Sequence, residues 1–354
     1  MSTRARTTRL DGLDAARGLA VVSMLVAHLS PVGGPLNVTE YLTAPLFAVV
    51  IGVSMGLVLA ERRPTTGSFL RDNALRGVLL VLLGVGLQEA YAQIVVVLPY
   101  LGLLVVVLAP LSLLLHRMPV VTLGVAAGLA VVSPVVMERA RDWLTRTPQA
   151  PPMARDLVQW LAAGSSYRVL SLLAMALGGL ALSSVLRRSG RLPAAWVVSG
   201  VLLGAGLVAY LLGAGTTDGS AAYSGSTAEI VGATLAACGT VVLSFGCLET
   251  LRDLGGGRLA APLLATGRLA LTAYTVQILW LALLFALRGG APDDAWWILG
   301  SSLVVVVGTC WALDRWWGTG PLEWVVHRLR VTAPAPPGRH AGQPGVSGRS
   351  GGSR

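Results

Sequence analysis

Long apolar runs, separated by short polar or Pro/Gly-rich connections, dominate this chain. Each run is close to the roughly 20 residues that an α-helix needs to cross a bilayer core. The runs are continuous rather than alternating, which favours spanning helices over a β-barrel. The pattern predicts an all-α polytopic membrane protein with about ten transmembrane helices, near residues 12–30, 43–60, 73–91, 94–115, 119–137, 168–186, 194–213, 228–249, 262–286 and 295–317.

The composition agrees with this pattern. The 354 residues are 54% hydrophobic and 12% charged, about half the charged fraction of a soluble domain. We therefore expect a multi-pass protein of the cell membrane, with the lipid bilayer as its surroundings. A charged pair lies inside the first apolar run, and no clear small-residue cleavage site follows it, so this run is predicted to stay in the membrane rather than act as a cleaved signal peptide.

The distribution of arginine predicts the orientation. Every one of the 27 basic residues is Arg, and the net charge is +10. Connections rich in Arg remain cytoplasmic, and here they alternate along the chain, so both termini are predicted to be cytoplasmic. Because this Arg excess accounts for topology, no nucleic-acid partner is expected. The arginines assigned to the cytoplasmic side are Arg4, Arg6, Arg9, Arg62, Arg63, Arg71, Arg76, Arg117, Arg187, Arg188, Arg191, Arg252, Arg258, Arg315, Arg328 and Arg330.

The chain is predicted to form one transmembrane helical domain over residues 1–332. Its last part, 318–332, reads as an amphipathic helix on the cytoplasmic face. Residues 333–354 are rich in Pro, Gly and Ser, which predicts a disordered cytoplasmic tail. The segment 138–167 is the only sizeable external loop in this topology, and either a lid or a plain connector fits it. Monomer and homodimer both remain open.

The first predicted helix carries three ionisable side chains. Arg17 and His28 are 11 residues apart, which corresponds to about 20° after three full turns, and Asp14 falls about 40° from His28. The three groups therefore share one stripe, with Arg17 and His28 roughly 16 Å apart along the axis. Ionisable groups within a membrane usually face a protein interior or an aqueous cavity. Either one cavity through the membrane or a simple Asp14–Arg17 anchor with an interfacial His28 fits this stripe.

Several stretches resemble known membrane acyltransferases. The stretch RLDGLDAARGLAVVSMLVAH at 9–28 is similar to the first catalytic-domain helix of the heparan-α-glucosaminide N-acetyltransferase family. The Arg-to-His spacing is also similar to that of the bacterial acyltransferase-three family. The stretches LFAVVIGVSMG at 46–56, GRLALTAYTVQ at 267–277 and GPLEW at 320–324 resemble other segments of this wider group.

This resemblance implies a cytoplasmic acyl-CoA donor, such as acetyl-CoA, and an acceptor on the far side, such as a glycan or lipid-linked cell-envelope molecule. Arg17 would then bind donor oxygens, since its guanidinium matches oxyanions. His28 would be the general base or a transient acyl carrier, because a neutral imidazole can serve as either. Asp14 would pair with Arg17 or orient it.

Further candidates follow from the same picture. Arg268 and Arg76 lie at the cytoplasmic ends of the predicted ninth and third spans, where each could contact a CoA phosphate or serve only as a topology-setting Arg. Thr272 and Gln277 could line the cavity or form hydrogen bonds between helices.

Two other candidates lie nearer the outer side. Glu89 could orient an imidazole or an acceptor hydroxyl, or simply be a solvated helix end. Tyr100 follows Pro99, which bends a helix, and could line the cavity.

The leading hypothesis is thus an integral membrane acyltransferase. A transporter or flippase of a polar or lipid-linked solute is the alternative, because polar intramembrane stripes and Pro-interrupted helices also occur in transporters. A membrane scaffold without chemistry is a third. The three cysteines lie within apolar runs without metal-ligand spacing, and no carboxylate–His cluster has it either, so no metal is expected.

Overall fold

A computed structural model of the chain describes residues 3–30, 36, 39–91, 94–188, 195–216, 219–290 and 295–331. Within these ranges the chain is helical and contains no strand. Its α-helices are α1 (Thr3–Leu29), α2 (Glu40–Glu61), α3 (Thr66–Ala90), α4 (Leu98–Leu115), α5 (Pro119–Arg146), α6 (Pro152–Val158), α7 (Val169–Arg188), α8 (Ala195–Ala214), α9 (Thr227–Asp253), α10 (Ala261–Arg268), α11 (Ala270–Leu287), α12 (Trp296–Trp316) and α13 (Pro321–Val331).

Nine of the helices in the described ranges are long and apolar enough to cross a membrane. This confirms the prediction of an all-α, multi-pass membrane protein. The nine are α1 from Asp11 onward, α2, α4, α5, α7, α8, α9, α11 and α12. Helix α3, predicted as a span near 73–91, is not one of them, and it carries charged residues near both ends, among them Arg71, Arg76 and Glu89. The predicted disordered tail, 333–354, lies outside the described residues.

The helices divide into a central group and a periphery. In the most apolar window of α7, 89% of residues are buried in the protein, against 17% in α8. Helix α8 exposes large apolar side chains such as Val197, Val201 and Leu212. Such a surface suits contact with lipid tails, because exposed valine and leucine have no favourable place in water. Helices α1, α2 and α7 therefore form the core of the bundle, and α5 and α8 lie on its rim.

Glycines allow close helix contacts in the core. A Cβ on Gly52 of α2 would lie 1.8 Å from the carbonyl oxygen of Ala176 in α7. On α10, a Cβ on Gly267 would lie 1.7 Å from the carbonyl oxygen of Asp14 in α1. Small residues let helix backbones approach in this way inside membranes. The second contact brings the start of α1 directly against α10.

The predicted ninth span, 262–286, is broken in the structure. Helix α10 ends at Arg268 and α11 begins at Ala270, with Leu269 outside the helical conformation at φ −107° and ψ 35°. Hydropathy does not detect this break because both halves are apolar. A discontinuous helix frees backbone groups that another part of the chain must satisfy.

The predicted fourth span, 94–115, begins later than expected, at Leu98. The side chain of Gln88 in α3 binds the preceding backbone: its Nε2 donates to the Ile94 carbonyl at 3.0 Å, and the Val96 amide donates to its Oε1 at 2.8 Å. The Val97 amide donates to the Tyr274 hydroxyl at 3.0 Å. These side-chain bonds satisfy part of the backbone ahead of α4 without a helix, so this segment enters the bundle as irregular chain. Ile94, Val96 and Val97 are all buried.

The bundle has an inner and an outer end. The inner end holds the start of α1 and the end of α2, and in the predicted topology it faces the cytoplasm. The outer end holds the end of α1 and the start of α2. Helices α1 and α2 run antiparallel. Arg17 Nη2, early in α1, donates to Ser54 Oγ late in α2, whereas Ser23 Oγ, later in α1, lies 3.0 Å from Thr43 Oγ1 early in α2.

Candidate functional site

The inner end of α1 presents Arg17 in a fixed position. Its Nη1 donates to Asp14 Oδ1 at 2.8 Å, and its Nη2 donates to Ser54 Oγ of α2 at 2.8 Å. The Arg17 side chain remains 30% exposed, whereas that of Asp14 is 13% exposed. A guanidinium that is fixed by two hydrogen bonds and still partly exposed to solvent can bind an oxyanion through its remaining N–H donors. The Asp14–Arg17 pair that the sequence predicted is therefore present.

Two more arginines at the inner end are bound to carboxylates. Arg252 of α9 donates to Asp11 of α1. Arg268 binds Asp314 of α12 through both Nε, at 2.9 Å, and Nη2, at 2.5 Å. This fork-to-fork pairing is the strong form of the Arg–carboxylate contact. It occupies one edge of the Arg268 guanidinium, which the sequence had suggested for a CoA phosphate.

Helix α11 is capped by a residue from α13. Glu323 accepts hydrogen bonds from the Leu271 and Thr272 amides, both at 3.0 Å, and from the Thr272 hydroxyl at 2.5 Å. A carboxylate is the favoured partner for the unpaired amides of a helix N-terminus. The stretches GRLALTAY and GPLEW, which the sequence singled out separately, therefore meet at one point.

The other predicted site residues occupy different places. His28 is half-buried in the last turn of α1, at the outer end. Arg76 is half-buried on α3, and Glu89 is exposed at the end of the same helix. Thr272 is buried and bound to Glu323 as described above.

Tyr100 and Gln277 both lie in the interior. Tyr100 belongs to an aromatic cluster, with its ring centroid 5.6 Å from that of Tyr167 and 6.3 Å from that of Trp160. Gln277 is fully buried, and within the described part of the chain neither its amide nitrogen nor its amide oxygen has a hydrogen-bond partner. Buried polar groups without a protein partner are uncommon and often contact water or a ligand.

The outer end contains a charged pair that sequence analysis missed. Arg168, immediately before α7, has a side chain only 2% exposed, and its Nη2 lies 3.9 Å from Glu229 Oε2 at the start of α9. Glu229 also accepts hydrogen bonds from the amides of Tyr223 and Gly225, at 2.9 and 2.5 Å. Arg168 donates from Nη1 to the Gly164 carbonyl at 2.9 Å. The available signal was one Arg and one Glu at the outer ends of two predicted spans.

This pair holds Tyr223 in a strained conformation. Tyr223 has a φ of +67°, which is a genuine outlier for a bulky side chain. Glu229 accepts from its amide, and Arg168 Nη2 donates to its carbonyl oxygen at 3.0 Å, so both peptide groups are fixed. Such strain persists only where the surroundings enforce it, and it is common at functional sites.

The ionisation of the outer cluster follows from its burial. Burial raises the pKa of Tyr223 to about 12 and raises the pKa of Tyr167 well above its ordinary value. Burial also lowers the pKa of Arg168, an effect that Glu229 opposes. Both phenols are therefore neutral hydrogen-bonding groups at physiological pH.

The fold and these sites define a polytopic helical membrane protein with polar clusters at both ends of the bundle. Residues 180–332 match the family described as "protein of unknown function (DUF418)". The match runs from α7 to α13 and covers less than half of the chain. It includes Glu229, Arg268, Thr272 and Glu323, but not Arg17, His28 or Arg168. No curated protein matches the chain.

Proposed function

We propose that the protein is an integral membrane acyltransferase that moves an acetyl or longer acyl group from cytoplasmic acyl-CoA to a sugar or another cell-envelope acceptor. The observation that carries this proposal is the fixed and partly exposed position of the Arg17 guanidinium. Its guanidinium is fixed by Asp14 and Ser54, remains 30% exposed, and lies on the same helix as His28. Donor oxygens would bind to Arg17, and the pantetheine arm would extend toward the outer end.

The proposed reaction needs only the His28 imidazole, the acyl-CoA donor and the acceptor. The His28 imidazole takes a proton from an acceptor hydroxyl or amine, whose oxygen or nitrogen attacks the thioester carbonyl. The carbon–sulfur bond breaks, and the CoA thiolate leaves with the proton that the His28 imidazolium returns. In the second form, a His28 nitrogen attacks the thioester, the carbon–sulfur bond breaks and CoA leaves as the thiolate; the acceptor then attacks the acyl-imidazole, its proton passes to the thiolate, and the bond between the acyl carbon and His28 breaks. Both forms need the lone pair of an imidazole nitrogen.

The test uses protein in lipid nanodiscs with acetyl-CoA labelled in the acetyl group and a cell-envelope extract as acceptor. Wild type is expected to bind CoA and to transfer the label to the extract. Arg17→Ala should weaken CoA binding measured by calorimetry, while Arg71→Ala, which removes an exposed Arg at the inner end of α3, should not.

His28→Gln should retain CoA binding and lower transfer by at least about 100-fold, the usual cost of losing a general base. His116→Gln, at the end of α4, is the matched control and should transfer at the wild-type rate. Near-normal transfer by folded His28→Gln would remove the catalytic role of His28. Unchanged CoA affinity in folded Arg17→Ala would remove the donor site.

A transporter or flippase is the second candidate, and the break at Leu269 favours it. Transporters often build solute sites from discontinuous helices, and the break at Leu269 would place such a site at the inner end of the bundle. In the same nanodisc assay, a transporter would transfer no label to any acceptor. Reconstituted into liposomes, it would move a labelled envelope precursor across the bilayer without acetyl-CoA.

A further inference from the structure

A narrow cavity at the outer end is lined by Glu40, Tyr41, Ser166, Tyr167, Arg168 and Tyr223, among others. These residues come from the start of α2, the segment before α7 and the segment before α9. The tyrosines enclose the cavity: the rings of Tyr167 and Tyr223 meet edge to face with centroids 5.5 Å apart. The cavity has room for about one water-sized group.

Arg168, one of the residues that line the cavity, has one side-chain donor without a partner in the described residues. Its Nη1 and Nη2 donate to the carbonyls of Gly164 and Tyr223. Its Nε is buried and, within the described residues, has no hydrogen-bond partner. Leaving a charged donor buried and unsatisfied costs more than an ordinary hydrogen bond is worth. A ligand atom that accepts a hydrogen bond here would remove that cost.

Glu40 contributes the complementary acceptor. It is half-buried, and in the part of the chain that the structure describes its carboxylate has neither an ion-pair nor a hydrogen-bond partner. Glu229, the other carboxylate of the cavity, is already used, because it binds Arg168 and the backbone around Tyr223. Among the described residues, the cavity lining thus includes one carboxylate and one guanidinium N–H that have no hydrogen-bond partner.

The Glu40 carboxylate and the Arg168 Nε–H group together favour one chemical class of ligand over others. A carboxylate or phosphate prefers two parallel donors from a guanidinium, but both Nη atoms of Arg168 are engaged, and Glu40 would repel the anion. An ammonium group would suit Glu40 but cannot accept from Arg168 Nε. A hydroxyl group can donate to Glu40 and accept from Arg168 at once, and it matches the size of the cavity. The carbon skeleton of such a molecule would remain outside the cavity, where the half-buried rings of Tyr41 and Tyr223 offer apolar faces.

We propose that Glu40, Arg168 and the tyrosines around them form an outer-end site that binds a hydroxyl group of a neutral sugar or polyol. Tyr223, strained and clamped by Arg168 and Glu229, keeps the wall of this site in place. The binding itself stands apart from catalysis. That the bound hydroxyl belongs to the acyl acceptor rests on the proposed function.

The experiment measures binding without CoA, so that its outcome is independent of acyl transfer. Full-length protein in nanodiscs is titrated with a panel of neutral methyl glycosides and with myo-inositol, choline and acetate as further probes, and binding is followed by saturation-transfer NMR. At least one glycoside or myo-inositol should bind. Glu40→Gln should weaken that binding by about tenfold or more, the effect of losing a hydrogen bond to a charged group.

Glu138→Gln is the matched control, since it neutralises an exposed carboxylate near the outer end of α5 and should leave binding unchanged. Arg168→Lys, which keeps the charge but lacks Nε, should also weaken binding; if it fails to fold, the Glu40→Gln result decides. The proposal is overturned if no neutral probe binds in a Glu40-dependent way. It is equally overturned if choline or acetate binds at this site more tightly than every neutral probe.

Discussion

At the inner end of the bundle Arg268 forms two hydrogen bonds to Asp314 and Glu323 completes the first turn of α11, whereas at the outer end Arg168 keeps a buried Nε without a partner in the described residues. The inner charges are partly exposed, and they join α1, α9, α10, α11, α12 and α13. The outer pair is deeply buried, and a free carboxylate lies nearby. The Arg252 and Arg268 pairs hold helices together at the inner end, whereas the buried Arg168 at the outer end has unused hydrogen-bonding capacity and indicates a place where something binds.

The sharpest test of this comparison removes one arginine from each end. Arg168→Gln leaves Glu229 buried without its counter-charge and releases the Tyr223 carbonyl, so the free energy of unfolding should fall by about 3–5 kcal/mol. Arg252→Gln removes a part-exposed pair and should cost about 1 kcal/mol or less. Unfolding in mixed detergent micelles, followed by circular dichroism, measures both.

The double variant Arg168→Gln with Glu229→Gln supplies the control for that measurement. Neutralising both partners removes the uncompensated charge, so it should recover part of the lost stability. If Arg168→Gln and Arg252→Gln lowered the free energy of unfolding equally, burial would not explain a difference between the two ends.

The second test concerns the close contact between α1 and α10. Gly267→Ala places a methyl group against the Asp14 carbonyl, and the resulting overpacking should lower stability by about 1–3 kcal/mol. It should also displace Asp14 and therefore weaken CoA binding under the proposed function. Gly86→Ala on α3 meets open space and should be neutral or stabilise slightly. A tolerated Gly267→Ala, with unchanged unfolding, would contradict the close contact.

The third test removes the cap on α11. Glu323→Ala leaves the Leu271 and Thr272 amides without their carboxylate and should cost about 1 kcal/mol, typical for the loss of a helix cap. Glu323→Asp, whose shorter side chain keeps the charge, should lose less. Hydrogen exchange at Leu271 and Thr272 should rise in Glu323→Ala while the amides around Gly225 at the outer end stay protected. A rise at both ends would mean that the two clusters are coupled.

The effect that is smallest at neutral pH concerns the alkaline stability of the outer end. The pKa of Tyr223 is about 12 in the folded protein and about 10 in an unfolded chain. Between these values the unfolded state has lost a proton that the folded state retains, so stability falls as pH rises from about 10 to 12. Tyr223→Phe should reduce this loss at pH 11 and should matter much less at pH 7. An identical pH slope in wild type and variant would show that this phenol does not contribute.

Much of the fold was predictable because hydropathy reports directly on burial in lipid. The spans that became α2, α5, α7, α8, α9 and α12 were located from their apolar runs, and the Asp14–Arg17 pair followed from helix geometry. The break at Leu269 was not predictable, because it depends on Glu323, 52 residues from Leu271. The late start of α4 depends similarly on Gln88. Its side chain binds backbone groups of Ile94 and Val96 that would otherwise be bonded within a helix, and hydropathy does not report such contacts.

The outer-end site was missed for a related reason. Glu40, Arg168 and Glu229 are far apart in the sequence and form no motif with a characteristic spacing. Each lies within two residues of the outer end of a helix, where a charged residue is ordinarily explained by contact with water or lipid headgroups. Only the packing of α2, α7 and α9 brings them together. By contrast, Arg17 and His28 share one helix, so their relation follows from 100° per residue alone.

The Glu323 cap also has a consequence for how the chain is made. Proteins are synthesised from the N-terminus, so Leu271 is translated 52 residues before Glu323, whose carboxylate caps it. The first turn of α11 therefore lacks its carboxylate partner until α13 has reached the inner end of the bundle. A chain that ended between α11 and α13 would contain most of the bundle, but the first turn of α11 would have no cap. Completion of α13 is thus the event that closes this end of the protein.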